Sequence, residues 1–202
     1  VTYTSDGRGL DLTPHIPDGP RSATGNTFNH LKIWNWETAV INVGVDNSAF
    51  EYLEMYDIGA INASTFHPNG IIIWSSSGGI VRYSKFYMGP DNHGIGEGIF
   101  FEQNGGCSNW MIYGNLFYNQ VSNGKNIQIS SPVPNLKIWN NTFYNNTFNA
   151  VQYTNSGACD SNGEFRNNLI FSSGSGSCGT SSNNLTQSSP NPFVNSGSSD
   201  FH

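Results

Sequence analysis

Three polar side chains near the middle of the chain have the types that acid–base chemistry requires. Glu97 stands two residues before Ile99, and Lys125 stands two residues before Ile127, with His93 nearby. If the two isoleucines are equivalent positions of a repeat, the carboxylate and the ammonium become neighbours, and the group could move a proton. The alternative interpretation is a solvated turn whose Glu–Lys pair contributes less than about 1 kcal/mol.

A second group of side chains could bind sugar, because an aromatic ring offers a pyranose an apolar face with a polar edge. Each member directly follows a predicted inward-facing residue and is therefore expected to point outward. Trp74 and Trp110 could add to the same surface. Alternatively, the rings pack on one another or under loops. The outward residues proposed for substrate binding are Trp34, Arg82, Tyr113 and Trp139.

Carboxylates offer two further possibilities. Inverting glycoside hydrolysis needs two of them roughly 6.5–9.5 Å apart, as Asp57 and Glu54 could provide. However, Glu54 falls in the same repeat position as Arg82, which predicts a structural ion pair instead. Calcium needs several oxygen ligands, and Asp91, Glu97 and Glu102 form the local carboxylate group without a spacing motif. The prediction is no resident cofactor, with calcium as the metal to test.

These side chains are positioned by a repeat. The stretch LKIWNNTFYN aligns with WMIYGNLFYN at an offset of 26 residues, so that Ile138 matches Ile112 and Trp139 matches Tyr113. A third copy begins at Phe165. A motif that recurs every 20 to 50 residues or so indicates a repeat architecture.

The repeat predicts inward anchors in pairs five residues apart, followed by an alternating strand whose one face is buried. The first anchors are Ile33, Leu53, Val81, Ile112, Ile138 and Phe165, and the second are Thr38, Ile58, Phe86, Phe117, Phe143 and Ile170. The alternating strands carry Ile71 and Ile73, Ile99 and Phe101, Ile127 and Ile129, and Val151 and Tyr153, with Ile41 and Val43 as a shorter version.

Two or three strands in about 27 residues are too few for a propeller blade, which needs four strands in roughly 40. The prediction is an all-β, right-handed parallel β-helix of about six coils. It forms one domain over residues 1–202, with an irregular first coil or end region over 1–30 and repeat coils over 31–202. Both ends interrupt strand-like patterns, so the chain is interpreted as part of a longer protein.

An asparagine column supports the coils. Asn115, Asn141 and Asn168 share one position, three residues after the first anchor. Asparagine tolerates left-handed backbone and bonds nearby backbone groups. Stacked amides can also bond one another along a column.

The N-x-F-x-N motifs in GNLFYN and NNTFYN resemble the right-handed parallel β-helix repeats of the pectate-lyase-like superfamily, and the tail NPFVNSGSSDFH resembles the closing segment of many secreted members. This fold hosts lyases, hydrolases, epimerases, adhesins and fibre proteins. The family's Arg-rich, Asp–His and Asp–Asp catalytic motifs are missing here. The resemblance implies an extracellular protein that binds or modifies carbohydrate, with a lyase-like or epimerase-like reaction on an acidic polysaccharide if it is an enzyme. The alternative is a non-catalytic structural or adhesive module, such as a glycosylated fibre subunit.

The charge of the chain limits the classes of partner that it could bind. The net charge is −6 and the 8 Lys and Arg residues do not cluster, which argues against nucleic acid. No apolar run approaches the roughly 18 residues of a membrane helix. The expected partner is a polysaccharide or glycan, with end-to-end self-association as a further possibility.

The cysteines predict one disulfide. Cys107 and Cys159 would lie two layers apart, a distance of about 9.6 Å. Cys159 and Cys178 are therefore the predicted disulfide, which fits a secreted location.

Four Asn-x-Ser/Thr sequons could accept glycans if the protein passes through a eukaryotic secretory pathway. In an Asn-, Ser- and Thr-rich chain, such sequons also arise by chance. The predicted positions are Asn62, Asn140, Asn145 and Asn184.

Overall fold

The computed structural model describes residues 8–12, 24–36, 38–58, 68–90, 95–102, 106–120, 125–155, 157–193 and 196. Short parallel strands dominate this part of the chain, as expected where Gly, Asn and Ser disfavour helix and β-branched and aromatic residues favour strands. In the segments described, no helix is long and apolar enough to span a bilayer.

The strands form three long parallel sheets. Sheet one contains β1 (Arg8–Asp11), β4 (Thr38–Val43), β7 (Asn69–Trp74), β10 (Glu97–Phe101), β13 (Lys125–Ile129) and β17 (Val151–Tyr153). Sheet two contains β2 (Thr27–Asn29), β5 (Ala49–Glu51), β8 (Ile80–Arg82), β11 (Met111–Tyr113), β15 (Lys137–Trp139), β19 (Glu164–Arg166) and β21 (Thr180–Ser182). Sheet three contains β3 (Lys32–Trp34), β6 (Glu54–Tyr56), β9 (Lys85–Tyr87), β12 (Leu116–Tyr118), β16 (Thr142–Tyr144), β20 (Leu169–Phe171) and β22 (Leu185–Gln187). A small pair joins β14 (Pro132–Val133) to β18 (Ala158–Cys159).

Each strand pairs with its equivalent one turn of the chain later, so the chain is a parallel β-helix repeat protein. The six strands of sheet one are separated by five complete turns, a minor difference from the six coils expected. The region expected to be an irregular first coil or end contains β1 and β2.

Inward side chains from the three sheets stack in columns and form the core. Val81, Ile112 and Ile138 are fully buried in sheet two. In sheet three the rings of Phe86 and Phe117 stack with centroids 4.8 Å apart. This separation equals the usual distance between paired strands, about 4.8 Å. One core layer therefore accompanies each layer of backbone.

The predicted register is wrong in the first coils. Phe50, and not Leu53, pairs with Val81 in sheet two. Met55, and not Ile58, pairs with Phe86 in sheet three. The assignment slipped by three residues because Leu53 and Ile58 are also fully buried, so both registers satisfy the five-residue spacing.

In the preceding coil the slip is five residues, since Phe28, and not Ile33, pairs with Phe50. This slip misplaced two other expected anchors. Ile33 lies in sheet three, beside Met55. Thr38 begins the sheet-one strand β4 and pairs with Asn69. In β4 the residue that aligns with Ile71 is Val40, one position before the expected Ile41. Because side chains alternate along a strand, this one-residue shift moves Ile41 to the outer face.

The asparagine column is confirmed and extends one layer further. The Nδ2 and backbone N of Asn115 both donate to Asn141 Oδ1 at 3.0 Å, and Asn141 donates in the same way to Asn168. Asn184 continues the ladder. The left-handed residue is the preceding one, for example Asn140 with φ 53°, so the column closes the turn by hydrogen bonding.

A disulfide joins Cys159 to Cys178 across 19 residues, with the two Cα atoms 5.2 Å apart. This is the pairing expected from the coil positions. Cys107 is buried, and its thiol lies 3.6 Å from the carbonyl oxygen of Ile73. Burial raises the pKa of this thiol.

Candidate functional site

The outer face of sheet two carries a group of charged and aromatic side chains suited to ligand binding. The third residue of each strand in this sheet lies beside the third residue of the next strand. These residues therefore form one column along the sheet. Three strand spacings separate Arg82 from Arg166, which corresponds to about 14 Å. The column contains Glu51, Arg82, Tyr113, Trp139 and Arg166.

Arg82 is held between its two neighbours in the column. Its Nη2 lies 2.5 Å from Glu51 Oε1, and its Nη1 donates to Tyr113 Oη at 2.7 Å. The hydrogen bond to Tyr113, followed by that to Glu51, raises the pKa of Arg82. The guanidinium is therefore a fixed cation with a phenol oxygen at its edge.

The predicted Glu54–Arg82 ion pair is wrong, because the register slip placed Glu54 in the wrong column. Glu54 lies in sheet three, where Oε2 is 3.4 Å from Lys32 Nζ. Its other oxygen, Oε1, accepts a 2.6 Å hydrogen bond from Tyr87 Oη. Burial and this hydrogen bond raise the pKa of Tyr87. Sequence position alone could not separate Glu54 from Glu51, the true partner.

The two central rings of the column do not stack on each other. Among the residues described, no ring contact joins Tyr113 to Trp139, although they are adjacent in register. Sheet three is different, since Trp34 and Tyr56 lie with ring planes only 3° apart and centroids 6.0 Å apart. The rings of sheet three cover one another's faces by stacking, whereas Tyr113 and Trp139 are half-buried and do not stack on each other. The Arg82 guanidinium carbon lies 5.8 Å from the centre of the Tyr113 ring.

Three tryptophans assigned to this surface lie elsewhere. Trp74 ends the sheet-one strand β7. Trp34 is on the outer face of sheet three, with 46% of its surface exposed. Trp110 is fully buried, and its Nε1 donates to the carbonyl oxygen of Ser76 at 2.9 Å. Its ring occupies the space beside Gly79, where a side chain would clash with it. The structure therefore brings together three of the four predicted substrate-binding residues.

A charged cluster borders the aromatic column on the same face. Lys137 Nζ lies 2.7 Å from Glu164 Oε1, and Arg166 Nη2 lies 2.6 Å from Glu164 Oε2. The hydrogen bond from Lys137, and then the charges of Lys137 and Arg166, lower the pKa of Glu164 below its ordinary 4.5. The carboxylate therefore remains charged to lower pH than usual and keeps both cations in place.

An open cleft of about 630 Å³ lies beside this cluster. Its lining is rich in amides and charges, which suits a hydroxylated ligand more than an apolar one. The prediction missed Lys137 and Glu164, although opposite charges in the same position of consecutive repeats were a readable signal. The lining residues are Asn109, Pro134, Asn135, Lys137, Asp160, Ser161, Asn162, Glu164 and Thr180.

Glu97 and Lys125 are neighbours in register at the start of β10 and β13. Lys125 Nζ lies 3.2 Å from Glu97 Oε1, and the Glu97 side chain is only 3% exposed. His93, the third residue of the predicted catalytic group, lies outside the described residues. The carboxylate is thus buried and the ammonium partly exposed, and the catalytic role of the pair stays a prediction.

The other carboxylate sites are not assembled. Asp57 is fully buried, and its Oδ1 accepts a hydrogen bond from the backbone N–H of Gly89 at 3.0 Å. Glu97 begins β10 and Glu102 follows its end, which separates their Cα atoms by about 16 Å and prevents them from sharing a calcium ion. Asp91 lies outside the described residues. In the segments that the structure covers, no cluster of three or more His, Cys, Asp or Glu side chains could hold a metal ion.

The sequons differ in accessibility. Asn140 and Asn145 are exposed turn residues with left-handed backbone. Asn145 Nδ2 donates to Asn119 Oδ1 at 2.9 Å. Asn184 Nδ2 donates to the carbonyl oxygen of Phe165 at 2.8 Å, and a glycan there would break the asparagine ladder. Asn62 lies outside the described residues. Of the three described acceptors, Asn140 is the one that is exposed and whose side chain makes no hydrogen bond within the described residues.

No protein-family model and no curated protein matches this chain. Among solved structures, a similar one is the crystal structure of an alginate lyase from Paenibacillus sp. str. FPU-7. The two are 15% identical, the match covers 82% of this chain and 71% of that chain, and the TM-score is 0.48. At this identity and score the similarity carries no argument about activity, so function must be inferred from the side chains of this chain.

Proposed function

We propose that this protein binds a uronate-containing polysaccharide across the outer face of sheet two. The observation that carries the proposal is the column in which Tyr113 and Trp139 stand side by side, unstacked, between Arg82 and Arg166. The parallel pairing of sheet two holds these four side chains in register. An extended chain of sugars that crosses the strands would meet them in succession.

The two kinds of side chain would make complementary contacts. The rings of Tyr113 and Trp139 offer apolar faces to pyranose rings. A guanidinium has five N–H donors, and Glu51 and Tyr113 engage only part of those of Arg82. The remaining donors, with those of Arg166, suit the carboxylates of uronate residues, which form strong charge-assisted bonds.

Single substitutions test the site. Trp139→Ala and Arg82→Gln should each lower the affinity for a uronate polymer by about tenfold, because each removes roughly 1.4 kcal/mol of contact energy. Both side chains are on the surface, so the fold should survive. Titration calorimetry with a uronate polymer measures the affinity, and far-ultraviolet circular dichroism checks the fold.

Trp34→Ala is the matched control, because Trp34 is an exposed tryptophan at the end of a strand, but on sheet three. Its affinity should remain that of the unaltered protein. If Trp34→Ala weakened binding as much as Trp139→Ala, the binding face would not be the one proposed.

A lyase activity at the same place is a second candidate, favoured by the 2.7 Å bond between Arg82 and Tyr113. Arg82 would neutralise the uronate carboxylate, and the Tyr113 oxygen would take the proton from the adjacent ring carbon. The electron pair of that C–H bond then forms a carbon–carbon double bond, and the glycosidic oxygen departs and takes up a proton. The Glu97–Lys125 pair is the alternative acid–base group.

Ultraviolet absorbance of the new conjugated double bond tests this candidate, over a panel of uronate polymers with and without calcium. If the protein is a lyase at this site, absorbance rises and Tyr113→Phe abolishes the rise, whereas Glu97→Gln retains it. The reverse pattern would assign the chemistry to Glu97. A flat trace for every polymer would remove the lyase and leave binding as the proposed function.

The proposal includes a location outside the cytoplasm. The Cys159–Cys178 disulfide supports it, since stable disulfides form mainly in oxidising compartments.

A further inference from the structure

A row of exposed aromatic side chains follows sheet two in its first three layers. We call His30, Tyr52 and Tyr83, which directly follow β2, β5 and β8, the turn strip. The ring centroids are 4.9 Å apart for His30 and Tyr52 and 5.2 Å apart for Tyr52 and Tyr83. Nearly half of the surface of each tyrosine is exposed, 48% for Tyr52 and 44% for Tyr83.

The backbone of the turn strip is left-handed, with φ of 53–54° at all three residues. Bulky side chains are uncommon in this conformation, whereas glycine and asparagine tolerate it. The later layers follow this rule at the same turn position. There the residues are Gly114, Asn140, Asn167 and Asn183, all with positive φ. Tyr52 and Tyr83 are thus placed against the local backbone preference, whereas histidine, like asparagine, is enriched in this conformation.

The turn strip is continuous with the proposed binding face. The ring of Tyr83 lies over Gly114, since a Cβ atom there would be 2.8 Å from two of its ring atoms. Tyr83 also meets Tyr113 edge to face, with centroids 5.6 Å apart. The Arg82 guanidinium carbon lies 5.5 Å from the centre of the Tyr83 ring. A ligand that contacts Arg82 and Tyr113 therefore reaches Tyr83 without a gap.

The exposed parts of the tyrosines are ring edges and hydroxyl groups, because neighbouring rings cover their faces. Among the residues described, no hydrogen-bond partner is found for the hydroxyls of Tyr52 and Tyr83. A phenol hydroxyl both donates and accepts, as the hydroxyls of a sugar do. The steps of about 5 Å between these rings are close to the length of one sugar residue in an extended chain.

We infer that the turn strip is a second set of subsites for the same polysaccharide, a conclusion that rests on the proposed function. Tyr52 and Tyr83 bind sugar hydroxyls through their phenol groups, and Tyr83 joins these subsites to Arg82 and Tyr113. A long chain occupies both regions. A trisaccharide is bound by the Arg82–Trp139 region alone.

The test uses Tyr52→Asn and Tyr83→Asn, which introduce the residue that later layers use at this turn. Because asparagine suits left-handed backbone, the unfolding midpoint should be unchanged or higher. The affinity for a long uronate polymer should fall about fivefold or more in the double variant. Tyr52→Asn alone removes a ring that adjoins the rings of His30 and Tyr83, and it should leave the affinity for a uronate trisaccharide the same. Asn183→Gly changes the same turn position at the far end of sheet two and should alter neither affinity.

Each alternative outcome overturns the inference in a recognisable way. If Tyr52→Asn and Tyr83→Asn lower stability and leave long-polymer affinity unchanged, while Trp139→Ala still weakens binding, the strip only supports the fold. If they change only the sedimentation of the protein, the strip contacts a second copy of the chain. If the unaltered protein binds no uronate polymer, the proposed function fails first and the subsites fall with it.

Discussion

Replacing Asn141 with alanine is expected to destabilise the protein by about 3 kcal/mol or more. The buried amide accepts from the backbone N and the Nδ2 of Asn115 and donates to the carbonyl oxygen of Ile112 and to Asn168 Oδ1. Alanine removes the side-chain partner of the Asn115 backbone N and of the Ile112 carbonyl oxygen, whereas Asn115 Nδ2 and Asn168 Oδ1 keep one other partner each. Each buried unsatisfied group costs about 1–3 kcal/mol. Urea unfolding followed by circular dichroism measures the loss.

Asn184→Ala is the matched control, because this asparagine ends the same ladder where it is only partly buried. Water can reach the freed groups there, so the expected loss is about 1 kcal/mol. Equal losses at the two positions would mean that the ladder stabilises the fold by side-chain packing and not by burial of its hydrogen bonds.

Replacing Phe117 with alanine should cost about 3–5 kcal/mol, the usual range for a buried phenylalanine. The ring is fully buried between Phe86 and Phe143, with centroid distances of 4.8 Å and 5.0 Å. It also lies against Gly98, where a Cβ atom would be 3.0 Å from a ring carbon. The surrounding backbone is paired on both sides in sheet three, so it cannot collapse into the cavity.

Phe28→Ala should cost less, about 1–2 kcal/mol, because Phe28 is partly buried and stacks on Phe50 at 5.5 Å in the first strand of sheet two. In a solenoid each layer contacts only its neighbours, so an end layer loses fewer contacts than a middle one. The same urea unfolding series compares the two. A Phe28→Ala cost equal to that of Phe117→Ala would contradict this layer-by-layer account.

The later coils could be predicted from the sequence because two signals agree there. The N-x-F-x-N motif fixes the turn, and the anchors beside it fix the strands, so Ile112 and Ile138 pair as expected. The first coils lack that asparagine. Their alternatives, Phe50 with Met55 and Leu53 with Ile58, are all buried, and apolar spacing alone cannot choose between them.

The residues of the candidate site could likewise be predicted in the later coils but not in the first ones. Tyr113 and Trp139 were placed on one face because they lie in the securely aligned coils. Glu51, His30 and Tyr52 were missed because they lie in the coils whose register slipped, whereas Tyr83 follows a strand whose register was predicted correctly. Trp110 was misassigned for another reason: whether a turn aromatic points inward depends on space left by another layer, here by Gly79.

The measurement that tests the central claim most directly is a calorimetric titration of the unaltered protein with a uronate polymer and with a neutral glucan. Carboxylate recognition by Arg82 and Arg166 predicts binding of the uronate polymer over the glucan. It also predicts weaker binding at high salt, because exposed ionic contacts are screened. Absence of binding to every uronate polymer, or equal binding of both polymers without salt dependence, would contradict the claim. In the first case the β-helix would be better explained as a structural or adhesive module.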